Sequence, residues 1–213
     1  MEDNDILKSG TTTVALVCKG GIVLAADKRA TSGYLIAHKK FEKVVSITDN
    51  IVVTTAGVVS DVQLLVKLIK AELKLKSIRT GRQLYVKEAV NLLSAFVYNN
   101  IRRLSMIPGI SHFIVGGMDS TGFYVYDVAA DGSLAVIDDY VSSGSGSVMA
   151  YGVFEALYNK DINVDEGVKL AVKAVNSAIQ RDIASGNGID VVTITKEGTK
   201  KVISKEITYK LEV

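Results

Sequence analysis

The sequence holds one cysteine, Cys18, one proline and two histidines in 213 residues. A lone cysteine excludes a disulfide scaffold and fits a reducing, intracellular compartment. His38 and His112 stand at no zinc-ligand spacing to Cys18 or to each other, so no metal and no other cofactor is expected. Charge of one sign is also scarce: 25 Lys and Arg meet 23 Asp and Glu, a formal charge of +2. Such a balance does not supply the field that a general nucleic-acid binder needs. No apolar run is long enough to span a bilayer. Met1 to Gly10 carry three acids and no apolar stretch, which excludes a secretory signal. Linkers rich in Pro or Gly, low-complexity tracts and internal repeats are missing too. The expectation is one soluble, cytoplasmic domain with no membrane and no nucleic-acid partner.

What is present is apolar: 48% of the residues are hydrophobic and 23% charged, enough for a single large core. Thr12 to Cys18 and Gly21 to Ala26 read as strands around Lys19-Gly20, a hairpin signal. Residues 34–38, 43–47 and 51–55 are shorter strand candidates, the last two joined by the turn residues Thr48-Asp49-Asn50. Val62, Leu65, Val66, Ile69, Leu73 and Ile78 then recur at helical spacing, with Ser60 as the expected cap and Gln63 completing a capping box. Leu84, Ala89, Leu92, Leu93, Phe96, Val97 and Ile101 spell a second helix that ends before Pro108-Gly109. Strands follow at 112–118, 122–128 and 134–137, helices at 147–159 and 165–184, and strands at 190–196 and 201–203. Segregated blocks of strands and helix pairs predict an α+β fold, antiparallel sheets covered by helices, rather than the alternation of a parallel doubly wound fold.

Several catalytic patterns fail. Gly144-Ser145-Gly146-Ser147 before a helix invites a phosphate loop, but no Gly-Lys-Ser/Thr follows and Met149 stands where a dinucleotide fingerprint needs glycine. No serine has the flanking glycines of a hydrolase elbow. The junction Gly10-Thr11 is different. By itself Thr11-Thr12-Thr13 reads as a polar turn entering a strand; the sharper reading is a nucleophile that cleavage after Gly10 would expose. A terminal threonine carries a hydroxyl and an α-amine titrating near about 7.7–8.0, and so brings its own base.

Read together, Thr11-Thr12-Thr13-Val14, Ala25-Ala26-Asp27-Lys28-Arg29, Thr54-Thr55-Ala56-Gly57, Gly144-Ser145-Gly146-Ser147 and Arg181-Asp182-Ile183-Ala184-Ser185-Gly186 resemble the β-type subunits of the 20S proteasome, archaeal members above all. These belong to the N-terminal nucleophile hydrolases. The resemblance implies a four-layer αββα sandwich over residues 11–213 and a propeptide over 1–10 that the protein removes itself at Gly10-Thr11. It places the nucleophile on Thr11, its acidic partner on Asp27, the buried lysine on Lys43 and the oxyanion-hole glycine on Gly57. Supporting roles fall on Ser145, Asp182 and Ser185. Taken singly, Asp27 and Lys43 also suit solvated turns, Gly57 a plain turn, and Ser145 and Ser185 helix-cap loops. A lysine beside the Thr11 hydroxyl would lower its pKa, with Asp27 keeping that lysine charged and oriented.

By the same resemblance Ala30, Phe41, Val45, Thr55, Val59 and Gln63 shape the pocket for the side chain before the scissile bond, and Thr31 binds substrate backbone. That lining carries no obvious charge and suits apolar side chains, with Phe41 narrowing the entrance. The implied activity is threonine-type endopeptidase action on unfolded polypeptides. The implied partners are further β-type subunits in a heptameric ring, α-type subunits and, indirectly, a regulatory ATPase. A mean hydropathy of +0.26 points the same way, since subunit contacts would cover surplus apolar surface. Contacts are expected at the helices beginning near Ser60 and Ser147. The alternative keeps the fold and removes the activity: a noncatalytic or latent β-type subunit that scaffolds the ring while a paralogue hydrolyses peptides.

Overall fold

A computed structural model of the protein describes residues 10–207. The expected propeptide, Gly10 apart, lies outside the described residues. The chain opens with strands β1 (Thr13–Cys18) and β2 (Gly21–Asp27), a hairpin turned at Gly20. A small ribbon follows, β3 (Ala30–Ser32) and β4 (Leu35–His38), then β5 (Val44–Thr48) and β6 (Ile51–Gly57). Helices α1 (Val59–Thr80) and α2 (Val86–Arg102) precede β7 (Ser111–Asp119), β8 (Gly122–Val128), β9 (Leu134–Ile137) and β10 (Tyr140–Ser143). Helices α3 (Ser147–Leu157) and α4 (Val164–Ile179) lead to the closing hairpin β11 (Gly188–Thr195) and β12 (Gly198–Glu206).

Two five-stranded antiparallel sheets result, in the orders β10-β1-β2-β11-β12 and β5-β6-β7-β8-β9. Three apolar layers glue four layers of structure. Ile69, Leu73, Leu93 and Phe113 pack α1 and α2 on the second sheet. Val14, Leu16, Phe154 and Val175 pack α3 and α4 on the first. Ile22, Leu24, Val52 and Ile114 fill the space between the sheets. Successive residues of β2 alternate between the last two layers, so both faces are buried and the strand reads as a continuous apolar run instead of an alternating one. The sheets approach closely at Gly116, where a Cβ would lie 2.7 Å from Leu24 Cδ1. The α+β sandwich of antiparallel sheets and helix pairs is therefore as the sequence predicts.

Several local expectations are corrected. The Ser60 cap and its Gln63 box do not form: α1 starts at Val59 after an extended Val58 that makes no side-chain cap bond. Its start is set by the Val58 amide, which donates to Ile110 O at 2.8 Å, so tertiary pairing displaces the local cap. Helix α4 ends at Ile179, not 184, and begins after Asn163, whose side chain caps Glu166. Helix α3 ends at Leu157, two residues before the predicted 159. Strands β3 and β10 are absent from the sequence reading because they are only three and four residues long, too short to show a pattern. Strand β12 runs to Glu206, well past the predicted 201–203, because an exposed, lysine-bearing edge strand needs no apolar pattern. Among the described residues no helix is long and apolar enough to cross a membrane.

Helix α2 starts on a charged clamp. Glu88 accepts both guanidinium nitrogens of Arg82 (3.0 and 2.9 Å) and the Tyr85 amide (3.1 Å). The Lys76 ammonium of α1 also lies 3.1 Å from it. These donors, Arg82 first, hold the Glu88 pKa down to about 2. A folded-state pKa below the unfolded one gives stability that is full above the ordinary carboxylate range and is lost as pH falls through the folded value. The stability difference between the native chain and Glu88→Gln, read by urea unfolding, is expected to be full near neutral pH and to close near about pH 2. A difference independent of pH would contradict this.

Candidate active site

Thr11 lies just ahead of β1, 4% exposed, where the two sheets meet at one end of the sandwich. Its hydroxyl donates to the Gly10 carbonyl at 2.7 Å, the carbonyl of the bond that would have to break. Lys43 Nζ approaches the same oxygen at 3.5 Å and binds Asp27 Oδ1 at 2.7 Å. Lys43 is 2% exposed and Asp27 fully buried. Two buried charges persist only when paired and hydrogen-bonded. Asp27 meets that condition: besides the ammonium it accepts the amides of Thr12, Arg29 and Gly186, each at 2.9 Å. Burial lowers the Lys43 pKa, while the charge and hydrogen bond of Asp27 oppose that shift.

A second network approaches from the α3 and α4 ends. The Thr11 amide donates to Ser145 Oγ at 3.2 Å, and Ser145 Oγ donates to Asp182 Oδ2 at 2.7 Å. The same carboxylate oxygen accepts Ser185 Oγ at 2.6 Å, and Ser185 meets Thr12 Oγ1 at 2.6 Å. The glycine-serine loop that imitates a phosphate site instead wraps Thr11. Gly146 N donates to Thr11 O at 3.3 Å, and a Cβ on Gly144 would lie 2.1 Å from that oxygen. Gly57 has φ 116°, a conformation that excludes most side chains. It lines the same tight cavity as Gly10, Thr11 and Lys43. Thr11, Asp27, Lys43, Gly57, Ser145, Asp182 and Ser185 thus converge.

The expected pocket residues are placed less uniformly. Ala30, Phe41, Thr55 and Val59 line the cavity beside Thr11. Phe41 and Val59 also border a neighbouring depression with Gln63. Thr31 accepts the Gly10 amide on its Oγ1 at 3.0 Å. Val45 lines neither space and packs against the core under α1 and α2. Sequence reasoning missed Arg29 and Asn187. Arg29 Nε donates to Asn187 Oδ1 at 2.8 Å and Nη1 to Ile183 O at 2.7 Å, tying the end of β2 to the turn that holds Asp182 and Ser185. Asn187 takes φ 61° to do so. The only signal was Arg29 lying two residues from Asp27 at the end of a buried strand. His112 pairs with Asp127 at 2.5 Å on β7 and β8 and does not touch Thr11, Lys43 or Asp27.

Comparison with known proteins gives the family. Residues 7–194 match the proteasome subunit family. The chain is 46% identical over 209 residues to the proteasome subunit beta of Ferroglobus placidus, covering 98% of each chain. It is 45% identical over 206 residues to that of Archaeoglobus profundus, covering 97% of this chain and 94% of the relative. With the protein of the same name from Methanohalophilus mahii it shares 44% over 210 residues, 99% and 98% of the two chains. Similarity of that extent, on an α+β sandwich of this layering, means that the chain belongs to the proteasome subunits, as a β-type member.

Proposed function

We propose that this β subunit is hydrolytic, a threonine endopeptidase that frees its own nucleophile by removing residues 1–10. The carrying observation is that the Thr11 hydroxyl and the buried Lys43 ammonium both reach the Gly10 carbonyl oxygen, at 2.7 and 3.5 Å. In leader removal, Thr11 Oγ1 bonds to the Gly10 carbonyl carbon, the carbon–nitrogen bond breaks and the hydroxyl proton ends on the Thr11 nitrogen. Water then cleaves the ester, leaving a carboxylate on Gly10 and a free α-amine on Thr11.

Peptide hydrolysis repeats this chemistry on a substrate carbonyl. The α-amine takes the hydroxyl proton, Lys43 supplies positive charge beside the oxygen and the Gly57 amide meets the oxyanion. Ser145, backed by Asp182, holds the nitrogen, and Ser185 braces Asp182. General acid–base help contributes about a hundred- to ten-thousandfold, and one oxyanion donor about a hundred- to a thousandfold. Ala30, Thr31, Phe41, Thr55, Val59 and Gln63 receive the substrate, with a preference for apolar side chains. Val45 acts only by supporting this wall. Processing and activity form one switch, since an amide nitrogen has no basicity to lend. A noncatalytic subunit would have no use for a buried Asp27–Lys43 pair aimed at this carbonyl, which disfavours the scaffold-only reading.

The active particle is expected to show a subunit mass beginning at Thr11; active particles that retain all ten leader residues would sink the proposal. Lys43→Ala is expected to abolish leader removal and peptide turnover. It also leaves Asp27 buried without its cation, at a cost of about 3–5 kcal/mol, so the reading is taken on folded chains. Asp27→Asn should be milder or equal. Near-normal turnover by folded Lys43→Ala would exclude the role given to Lys43.

We place the subunit in a cytoplasmic heptameric β-type ring with α-type partners, enclosing the Thr11 sites so that only unfolded chains reach them. Exposed Leu64 and Leu68 on α1 and Val148 on α3 support contacts at those helices. Sedimentation with α-type subunits should carry peptide hydrolysis into a large particle, and hydrolysis confined to a monomer-sized peak would refute the assembly.

A further inference from the structure

We propose that Ala184 is what restricts position 10 to glycine, by filling the space into which any side chain there would point. The inference rests on Thr11 being the self-processing nucleophile. A Cβ built on Gly10 would lie 1.8 Å from Ala184 Cβ, 2.8 Å from Ser145 Oγ and 3.1 Å from Ala184 Cα. The first distance is far inside any non-bonded contact, and alanine has no rotamer with which to yield.

The wall cannot retreat either. The Ala184 amide donates to Asp182 Oδ1 at 3.2 Å, and the preceding carbonyl, of Ile183, accepts Arg29 Nη1 at 2.7 Å. Ser185 is tied to Asp182, and the Gly186 amide to buried Asp27. Position 10 is equally pinned, its amide on Thr31 Oγ1 at 3.0 Å and its carbonyl under the Thr11 hydroxyl and Lys43. A bulkier residue would have to swing its carbonyl away from the nucleophile.

The atoms nearest to that Cβ belong to Ala184 and Ser145, not to the pocket of Ala30, Phe41, Thr55 and Val59. Two selectivities therefore coexist in one site. The leader junction is chosen by exclusion at the 182–185 turn, whereas peptide substrates present their side chains to the pocket. Glycine at position 10 is required for space beside Ala184, not merely for low crowding of its own carbonyl.

The test follows leader loss by intact mass over time, on full-length chains assembled with α-type subunits. Gly10→Ala is expected to slow leader removal about ten- to a hundredfold. Adding Ala184→Gly should recover several-fold of that loss, incompletely because Ser145 Oγ remains near, whereas Ala184→Ser, which keeps the Cβ, should recover none. Wild-type speed in Gly10→Ala, or no recovery in the Gly10→Ala/Ala184→Gly pair, would overturn the proposal. Thermal unfolding and peptide hydrolysis by the same variants begun directly at Thr11 report whether the turn is intact. Should Ala184→Gly fail to fold, a semisynthetic chain joined at Cys18 with D-alanine at position 10 turns the methyl away from Ala184. It is expected to outpace L-alanine, and equal rates would overturn the proposal. A wild-type chain that never sheds its leader would remove the role of Thr11 and this proposal together, while normal shedding with uncoupled positions 10 and 184 removes this proposal alone.

Discussion

Asp27 is the carboxylate on which the rest of the site depends. It closes β2 in one sheet, while Lys43, its ion-pair partner at 2.7 Å, stands just before β5 in the other. The pair therefore bridges the two halves of the sandwich. An uncompensated charge at that depth would cost several kcal/mol. The three amide donors to Asp27 are thus as necessary as the lysine, and they come from three segments: the start of β1, the end of β2 and the turn after α4. Satisfying one buried carboxylate fixes the relative positions of Thr12, Arg29, Gly186 and Lys43, and with them Thr11.

The depth of the pair follows from the strands' composition. Val23 and Ala25 of β2 face α3 and α4, while Ile22, Leu24 and Ala26 face the opposite sheet. With both faces buried, the strand end is a place where water cannot easily solvate a charge. Burial draws the Lys43 pKa down and Asp27 resists, so the ammonium is held by one geometry and not by the solvent. That immobility distinguishes it from the surface lysines: Lys19, for example, meets Asp161 with both side chains largely exposed and so contributes little.

The long elements were legible in the sequence because two-sided burial writes uninterrupted apolar runs and helix faces write a period of 3.6, whereas the four-layer arrangement came with the family resemblance. Where tertiary partners override local chemistry, legibility ended. The start of α1 is fixed by Ile110, distant in sequence, not by Ser60. Helix α4 stops at Ile179 because Asp182 and Ser185 bond to Ser145 and Thr12 rather than continuing the helix. The site's residue types were visible only through their resemblance to a family, since two Asp, a Lys and two Ser scattered over 159 residues have no period to betray them. Arg29 and Asn187 escaped for a related reason: their function is to hold a turn, and apart from the closeness of Arg29 to Asp27 nothing local in the sequence marks a side chain that works across the fold.

Under the proposed activity, the geometry with the leader attached would also let one site serve two reactions. With the leader attached, the Thr11 nitrogen is an amide whose hydrogen is donated to Ser145 Oγ, and Ser145 in turn donates to Asp182. That chain orients the nitrogen before it has any lone pair to use. The proposed cleavage would change the nitrogen from amide to amine without requiring its neighbours to move, because a hydroxyl can accept from either species. In the proposed reaction the Gly10 carbonyl would leave its place under the Thr11 hydroxyl and Lys43, freeing both donors for the carbonyl of a substrate or for water. The proposed switch is therefore chemical rather than conformational: the scaffold of Asp27, Asp182 and their donors is already complete, and only the identity of one nitrogen and one carbonyl changes.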